Sequence, residues 1–229
     1  MLATSLLALT ISIFAMSSTG QAAPLDARAS SKPIPQIHCA YPETLGPLIS
    51  TGPSGIARHA TFQGATDSQG QPELSTSLNG VPAPDYVQFE FTPCTSTVMP
   101  SGRITNSDGS YKYFGKLRPA GHPEKCATVR TQGIAGTTTE IISIDCDERD
   151  LVEYQLEQWF TLTRIPQQRG QTYYGVGYDG VVANATAQVY YGWTNEYDSK
   201  TGAHLVKLQI EEKPFRTPFS VQIVRAMNW

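Results

Sequence analysis

The sequence predicts an all-β fold, and three observations support that prediction. Proline and glycine recur along the whole chain, with 16 and 19 copies among 229 residues, and interrupt it at short intervals. No window carries a sustained helical period of apolar residues. Short alternating runs lie beside dipeptides that suit tight turns, namely Asn79-Gly80, Asp108-Gly109 and Asp179-Gly180. Several short strands joined by turns are typical of a sandwich or a barrel.

The first residues predict a secretory signal peptide over residues 1–22. Residues 2–16 form an apolar run that is too short to span a bilayer, and the small residues up to Ala22 suit a signal peptidase. The next stretch, residues 23–37, is rich in Pro, Ser and Ala and is predicted to be a disordered leader. Residues 38–229 are enough for one domain with a sizeable core. We therefore expect a secreted, extracellular protein with a single domain.

The charge balance excludes two classes of partner. The formal net charge is −3, so the protein has no electrostatic reason to seek nucleic acid or an anionic membrane. We expect no nucleic-acid partner and no membrane span. The sequon Asn184-Ala185-Thr186 predicts N-glycosylation at Asn184, on a surface loop.

The four cysteines predict two disulfides, because secreted proteins rarely leave thiols free. Cys126 opens a short β-prone run, and Cys146 ends an alternating run that follows a Gly/Thr-rich turn. Antiparallel strands joined by a turn bring their outer ends together, so Cys126 should pair with Cys146, which leaves Cys39 for Cys94. No cysteine pair has metal-ligand spacing and the histidines are isolated, so we expect neither a metal nor another cofactor.

Further alternating runs predict strands with one apolar face. Three of these runs are each followed by a break: residues 87–91, 159–162 and 219–223, centred near Phe89, Phe160 and Val221. A fourth places Val206, Leu208 and Ile210 on one face. Three blocks of comparable size favour a β-trefoil with long loops. A two-sheet β-sandwich is the alternative.

The middle block resembles a known family. It contains three motifs in order: Cys-x-Thr-Val from Cys126, Ile-x-x-Asp-Cys ending at Cys146, and a Gln/Glu-rich lead into Trp159. This order is similar to one repeat of the ricin B-type lectins. These are β-trefoils marked by a Gln-x-Trp signature, and the match spans residues 117–162, about a quarter of the chain. The resemblance implies that Trp159 anchors the core, and that Glu157 and Gln158 either support it or lie on the surface.

Two positions depart from the pattern of that family. Glu157 stands two places before Trp159, where the signature has Gln, and Gln158 follows it immediately. Thr128 stands where the sugar-binding repeats of the family usually carry an Asp. The resemblance therefore does not imply a sugar site in the middle block.

The densest aromatic segment, residues 171–197, is the candidate binding region. Tyrosine and tryptophan offer flat apolar faces that suit sugar rings, while nearby Asp and Asn side chains bond hydroxyl groups. If the protein binds a glycan, we expect Tyr191 and Trp193 to form the site with Asp179 or Asn195. The other interpretation of these aromatic residues is that they form core and belt positions of a β-protein.

Catalysis receives little support from the sequence. The Gly-Pro-Ser-Gly run at residues 52–55 lacks the spacing of a nucleophile elbow, and the acidic residues between 145 and 157 are predicted to be a solvated loop. We expect no enzyme activity. The sequence favours a secreted lectin-like module that binds a glycan. The alternative is a trefoil that binds a secreted protein, such as a protease inhibitor, because one fold hosts both functions.

Overall fold

A computed structural model describes residues 33–76, 87–130, 134–166, 172–180, 189–217 and 219–224. The predicted signal peptide over residues 1–22, residues 23–32 of the predicted leader, the Asn79-Gly80 dipeptide and the sequon at Asn184 lie outside these residues. The described chain is all-β, as predicted, with one short α-helix, α1 (Val152–Gln155), followed by a 3-10 turn at Leu156–Gln158. The strands are β1 (His38–Cys39), β2 (Thr44–Thr51), β3 (Ala57–Thr66), β4 (Pro72–Thr76), β5 (Gln88–Thr95), β6 (Arg103–Thr105), β7 (Tyr111–Pro119), β8 (Lys125–Val129), β9 (Thr137–Asp145), β10 (Phe160–Pro166), β11 (Thr172–Tyr178), β12 (Tyr190–Tyr197), β13 (His204–Glu211) and β14 (Ser220–Ile223).

Six strands close into a barrel in the order β2, β5, β7, β10, β11 and β14, and β14 returns to β2. Every neighbouring pair in this ring is antiparallel. A closed ring satisfies the backbone groups that an open sheet would leave unpaired along its edges. The fold is therefore a barrel, not two separate sheets.

Three consecutive groups of four strands share one arrangement. In each group the first and last strands lie in the barrel, and the middle two form a hairpin outside it: β3–β4, β8–β9 and β12–β13. The second strands of these hairpins, β4, β9 and β13, also pair with one another. The strands that the sequence marks as block ends are β5, β10 and β14, the last strand of each group.

The main core lies inside the barrel and under the three hairpins. The alternation of the sequence correctly predicts which side chains of β5, β13 and β14 belong to this core. On these strands the buried apolar residues occupy every second position. Full burial of one such apolar side chain contributes about 1.5–3 kcal/mol relative to leaving it in water. Side chains at 0–1% exposure in these strands are Phe89, Phe91, Val206, Leu208, Ile210, Val221 and Ile223.

The two disulfides have the pairing expected from the sequence. Cys126 is bonded to Cys146 across the β8–β9 hairpin, with a sequence separation of 20 residues. Cys39 in β1 is bonded to Cys94 in β5, with a separation of 55 residues, and the two residues are also register partners. The second disulfide therefore fixes the N-terminal strand to the barrel.

A second, smaller core cluster lies around Trp159. The indole is 3% exposed, and its N–H donates to the carbonyl oxygen of Pro100 at 2.7 Å. Ile37 packs in the same cluster, and its backbone N–H donates to the carbonyl of Glu148 at 2.9 Å. Gln36 bridges to Arg149. The last residues that the sequence assigns to the leader are thus part of the folded domain.

Within the described ranges, no helix is both long enough and apolar enough to cross a membrane.

Candidate functional site

An open recess of about 460 Å³ lies between the β6–β7 hairpin, the end of β11 and the start of β12. We name it the tyrosine recess, because three tyrosines contribute to its wall. Its concave, mixed aromatic and polar surface is typical of small-molecule sites. The lining residues are Pro100, Ile104, Lys112, Phe114, Tyr178, Asp179, Val189, Tyr190 and Tyr191.

Two turns predicted from Asp-Gly dipeptides connect or end the strands that line the recess. Gly109 has φ of 78° in the turn between β6 and β7, and Gly180 has φ of 59° just after β11. Glycine adopts such positive φ values without steric cost. A Cβ atom at Gly180 would also lie 2.3 Å from the ring of Tyr191. Gly180 is therefore required both for the backbone turn and for the close approach of Tyr191.

Tyr178 and Tyr191 form a rigid aromatic corner of the recess. Their rings are perpendicular, with centroids 4.8 Å apart, an arrangement that aromatic pairs favour. Tyr178 is buried, and its hydroxyl donates to the carbonyl oxygen of Leu156 at 2.7 Å. Burial, together with the neighbouring Tyr191 and Glu157, raises the pKa of Tyr178 well above its usual value. The phenol therefore stays protonated and keeps its orientation.

A half-exposed ion pair forms the polar part of the recess. The ammonium of Lys112 is bonded to the carboxylate of Asp179, and their side chains are 25% and 41% exposed. Lys112 Nζ also lies 5.3 Å from the ring centroid of Phe114. Ion pairs this exposed contribute little to folding stability. They do place a hydrogen-bond acceptor and a donor beside the aromatic wall.

The structure separates the four binding residues predicted from the sequence. Tyr191 and Asp179 both line the tyrosine recess. Trp193 is 7% exposed, and its indole N–H donates to the carbonyl of Val176 at 2.6 Å, so it is a core residue with no open ring face. Asn195 lines a different recess. Asn195 follows Tyr191 by four positions along the strand, a distance of about 13 Å.

Sequence reasoning missed the side of the recess that comes from β7. Lys112 and Phe114 lie far from residues 171–197 in the chain, and only the pairing of β7 with β10 and of β10 with β11 brings them close. The signal in the sequence was the aromatic and basic run at residues 111–114, immediately after the Asp108-Gly109 turn. Tyr190 belongs to the aromatic segment at residues 171–197, but the sequence did not distinguish it as a binding residue.

In the middle group of strands, Thr128 and Gln158 are buried in a polar network. Thr128 is 1% exposed, and its hydroxyl accepts a bond from Gln158 Nε2 at 3.1 Å. Gln158 Oε1 accepts from the backbone N–H of Asp147 at 2.9 Å and from Lys116 Nζ at 3.1 Å. Every polar atom of the Gln158 side chain is thus bonded inside the protein. Gln158 supports the fold, and Thr128 is not available to a ligand.

Three of the six acidic residues between 145 and 157, namely Asp145, Asp147 and Asp150, are bonded within the protein, so this stretch is not wholly the solvated loop predicted from the sequence. Asp147 accepts from Arg149 Nε at 2.9 Å, and Asp150 accepts from the backbone N–H of Thr97 at 2.7 Å. In the part of the chain that the structure describes, no three His, Cys, Asp or Glu side chains are placed to hold a metal ion.

Comparison of the chain with protein-family models, with curated proteins and with solved structures finds no match.

Proposed function

We propose that this protein is a secreted, lectin-like carbohydrate-binding module with no catalysis of its own, built on a β-trefoil related to the ricin B-type lectins. Three features support the trefoil assignment: the six-stranded barrel, the three four-strand groups, and the three hairpins whose inner strands pair. The burial of Trp159 at the entrance to β10 fits the core role that the resemblance implies for it, although Gln158 lies one place nearer to Trp159 than the Gln of the signature.

The tyrosine recess carries the functional proposal. A sugar ring has apolar C–H faces that stack on aromatic side chains, and its hydroxyl groups need donors and acceptors at the rim. Tyr190 and Tyr191 supply the aromatic surface, and the Lys112–Asp179 pair supplies a donor and an acceptor. Both types of group therefore meet in one recess, which is large enough for a small saccharide.

The affinity should be low. A saccharide hydroxyl exchanges a bond to water for a bond to protein, so each bond adds little net free energy. We expect a Kd between millimolar and high micromolar, or about 4–6 kcal/mol of binding free energy.

The test is a titration of glycosidase-treated protein against a broad panel of neutral glycans. Asp179→Asn and Tyr190→Ala should each weaken binding of the responding glycan by about tenfold, because each removes a contact to it. Two controls lie elsewhere: Asp145→Asn, which removes an 82% exposed carboxylate partner of another lysine, and Tyr41→Ala, which removes a 94% exposed ring. Equal losses in the controls, or unchanged binding in the two recess variants, would contradict the assignment.

A protein-binding module, such as a protease inhibitor, is the second candidate. The observation that favours it is the burial of Thr128, because the middle group then offers no exposed carboxylate where the related lectins carry one. Failure of every glycan in the panel to bind would favour this second candidate.

A further inference from the structure

A second recess lies at the turn between β2 and β3, and it brings together polar residues from distant parts of the chain. Its volume is about 140 Å³, and the residues that matter for binding are Ser54, Arg58, Asn195 and His204, with the ring of Phe219 at one side. We name it the Arg58 recess. Residues 52–55 form a turn in which the N–H of Gly55 donates to the carbonyl of Gly52 at 3.0 Å.

Two nitrogen groups of this recess have no partner within the described residues. Arg58 is half-buried, and its guanidinium makes no ion pair or hydrogen bond with any described side chain or carbonyl. Nδ1 of His204 is buried from solvent and has no hydrogen-bond partner there. An unpaired polar atom of this kind costs about 1–3 kcal/mol, so such atoms call for a specific explanation.

Among the described residues that line this recess, none carries a negative charge that could compensate Arg58. The neighbours of His204 from the adjoining elements are Thr76 at the end of β4, Tyr197 and Asn195 on β12, and Phe219 before β14. Tyr197 stacks on the imidazole with ring centroids 5.3 Å apart. Burial, and then the charge of Arg58, lower the pKa of His204 below its ordinary value. The described lining of the recess therefore carries a positive charge, that of Arg58.

The chemistry of these groups selects the ligand. A guanidinium binds the two oxygens of a carboxylate or sulfate with parallel N–H bonds, and an imidazole N–H or a side-chain amide can complete the set. The recess, at about 140 Å³, has room for one sulfate or carboxylate group and is less than a third of the volume of the tyrosine recess.

We infer that Arg58, His204 and Asn195 form a binding site for a single oxyanionic group, either a carboxylate or a sulfate. The group can belong to a free anion or to an acidic saccharide whose ring stays outside the recess. This site is separate from the tyrosine recess, and it does not depend on the proposed binding of neutral sugars.

The test is calorimetric titration of the protein with sodium sulfate, glucuronate and glucose at constant ionic strength and at pH 5 and pH 7.5. Sulfate and glucuronate should both bind, and glucose should not. Tighter binding of glucuronate than of sulfate would assign the source to an acidic saccharide, and the reverse would assign it to a free anion. Binding should tighten from pH 7.5 to pH 5, because a bound anion beside the imidazole favours the protonated form of His204.

Arg58→Gln should reduce the affinity for both anions at least about tenfold, because a charge-assisted pair is lost. It should leave the melting temperature unchanged, because Arg58 loses no hydrogen bond or ion pair to the described part of the chain. His204→Gln should remove the dependence on pH. Arg216→Gln, which removes an exposed arginine outside the recess, is the matched control. The inference is overturned if neither anion binds, if glucose binds equally well, or if the Arg58 and Arg216 variants behave alike.

Discussion

Lys116 is the least expected residue in the structure, because it is a lysine with no solvent exposure. Its ammonium donates to Gln158 Oε1 at 3.1 Å and lies 5.6 Å from the ring centroid of Trp159. Burial is the main cause that lowers the pKa of Lys116 to about 7, and the charge of Arg118 adds to it. The nearby acidic residues Asp147 and Glu148 oppose this shift without cancelling it.

This shift predicts a dependence of stability on pH that Lys116→Met should remove. Between pH 7 and the unfolded pKa of 10.5, the unfolded chain keeps a proton on this lysine that the folded protein has released. The free energy of unfolding therefore rises with pH in this window, by up to about 1.4 kcal/mol per pH unit. Urea unfolding of both proteins at pH 6, 7, 8 and 9 measures the difference. Parallel curves would show that Lys116 does not titrate as the structure implies.

At the scale of single strands, Gly115 shows how closely the barrel is packed. It lies on β7 opposite Pro93 on β5, and a Cβ atom there would lie 2.0 Å from the carbonyl oxygen of Thr92. The obstacle is backbone, so it cannot move aside as a flexible side chain would.

Gly115→Ala should therefore destabilise the protein by about 1–3 kcal/mol, as overpacking of a tight site does. Gly175→Ala is the matched control on barrel strand β11, because a Cβ atom there would lie an ordinary 3.9 Å from the carbonyl oxygen of Thr163. That control should be neutral or more stable by up to about 1 kcal/mol, since alanine restricts the unfolded chain. Chemical denaturation of the two variants measures both effects. Equal losses of stability would contradict the close packing inferred at Gly115.

The strands that the sequence predicted well are those with one clear apolar face, such as β5 and β14. Strands β7 and β12 were harder, because polar and aromatic residues occupy both of their faces. Trp193 shows the physical reason: its neighbours along β12 suggest an open aromatic surface, but Val176 of β11 accepts its N–H inside the core. Which ring of an aromatic run is covered depends on pairing between distant strands, and composition does not contain that information. For the same reason the Lys112 side of the tyrosine recess and the meeting of Arg58 with His204 could not be predicted.

For the molecule as a whole, the two disulfides should contribute unequally to stability. In the chain-entropy model, a loop of 20 residues contributes about 3 kcal/mol and a loop of 55 residues about 4 kcal/mol. Replacing both cysteines of one pair with serine should therefore cost more for Cys39 and Cys94 than for Cys126 and Cys146. Thermal unfolding of the two double variants gives the comparison. A larger loss for the hairpin pair would show that loop length does not govern their contribution.

The pairing of β14 with β2 also has a consequence for the order in which the fold is reached during synthesis. Ile223 pairs with Leu48 and Ser220 with Thr51, so the ring closes only when the last barrel strand has left the ribosome. Such distant pairing is slow, on the order of milliseconds to seconds for β-rich domains. Both disulfides lie in the portion made earlier. A nascent chain that stops before Ser220 would thus have both disulfides while the barrel is still open. The unpaired edges of β2 and β11 could then pair with other chains.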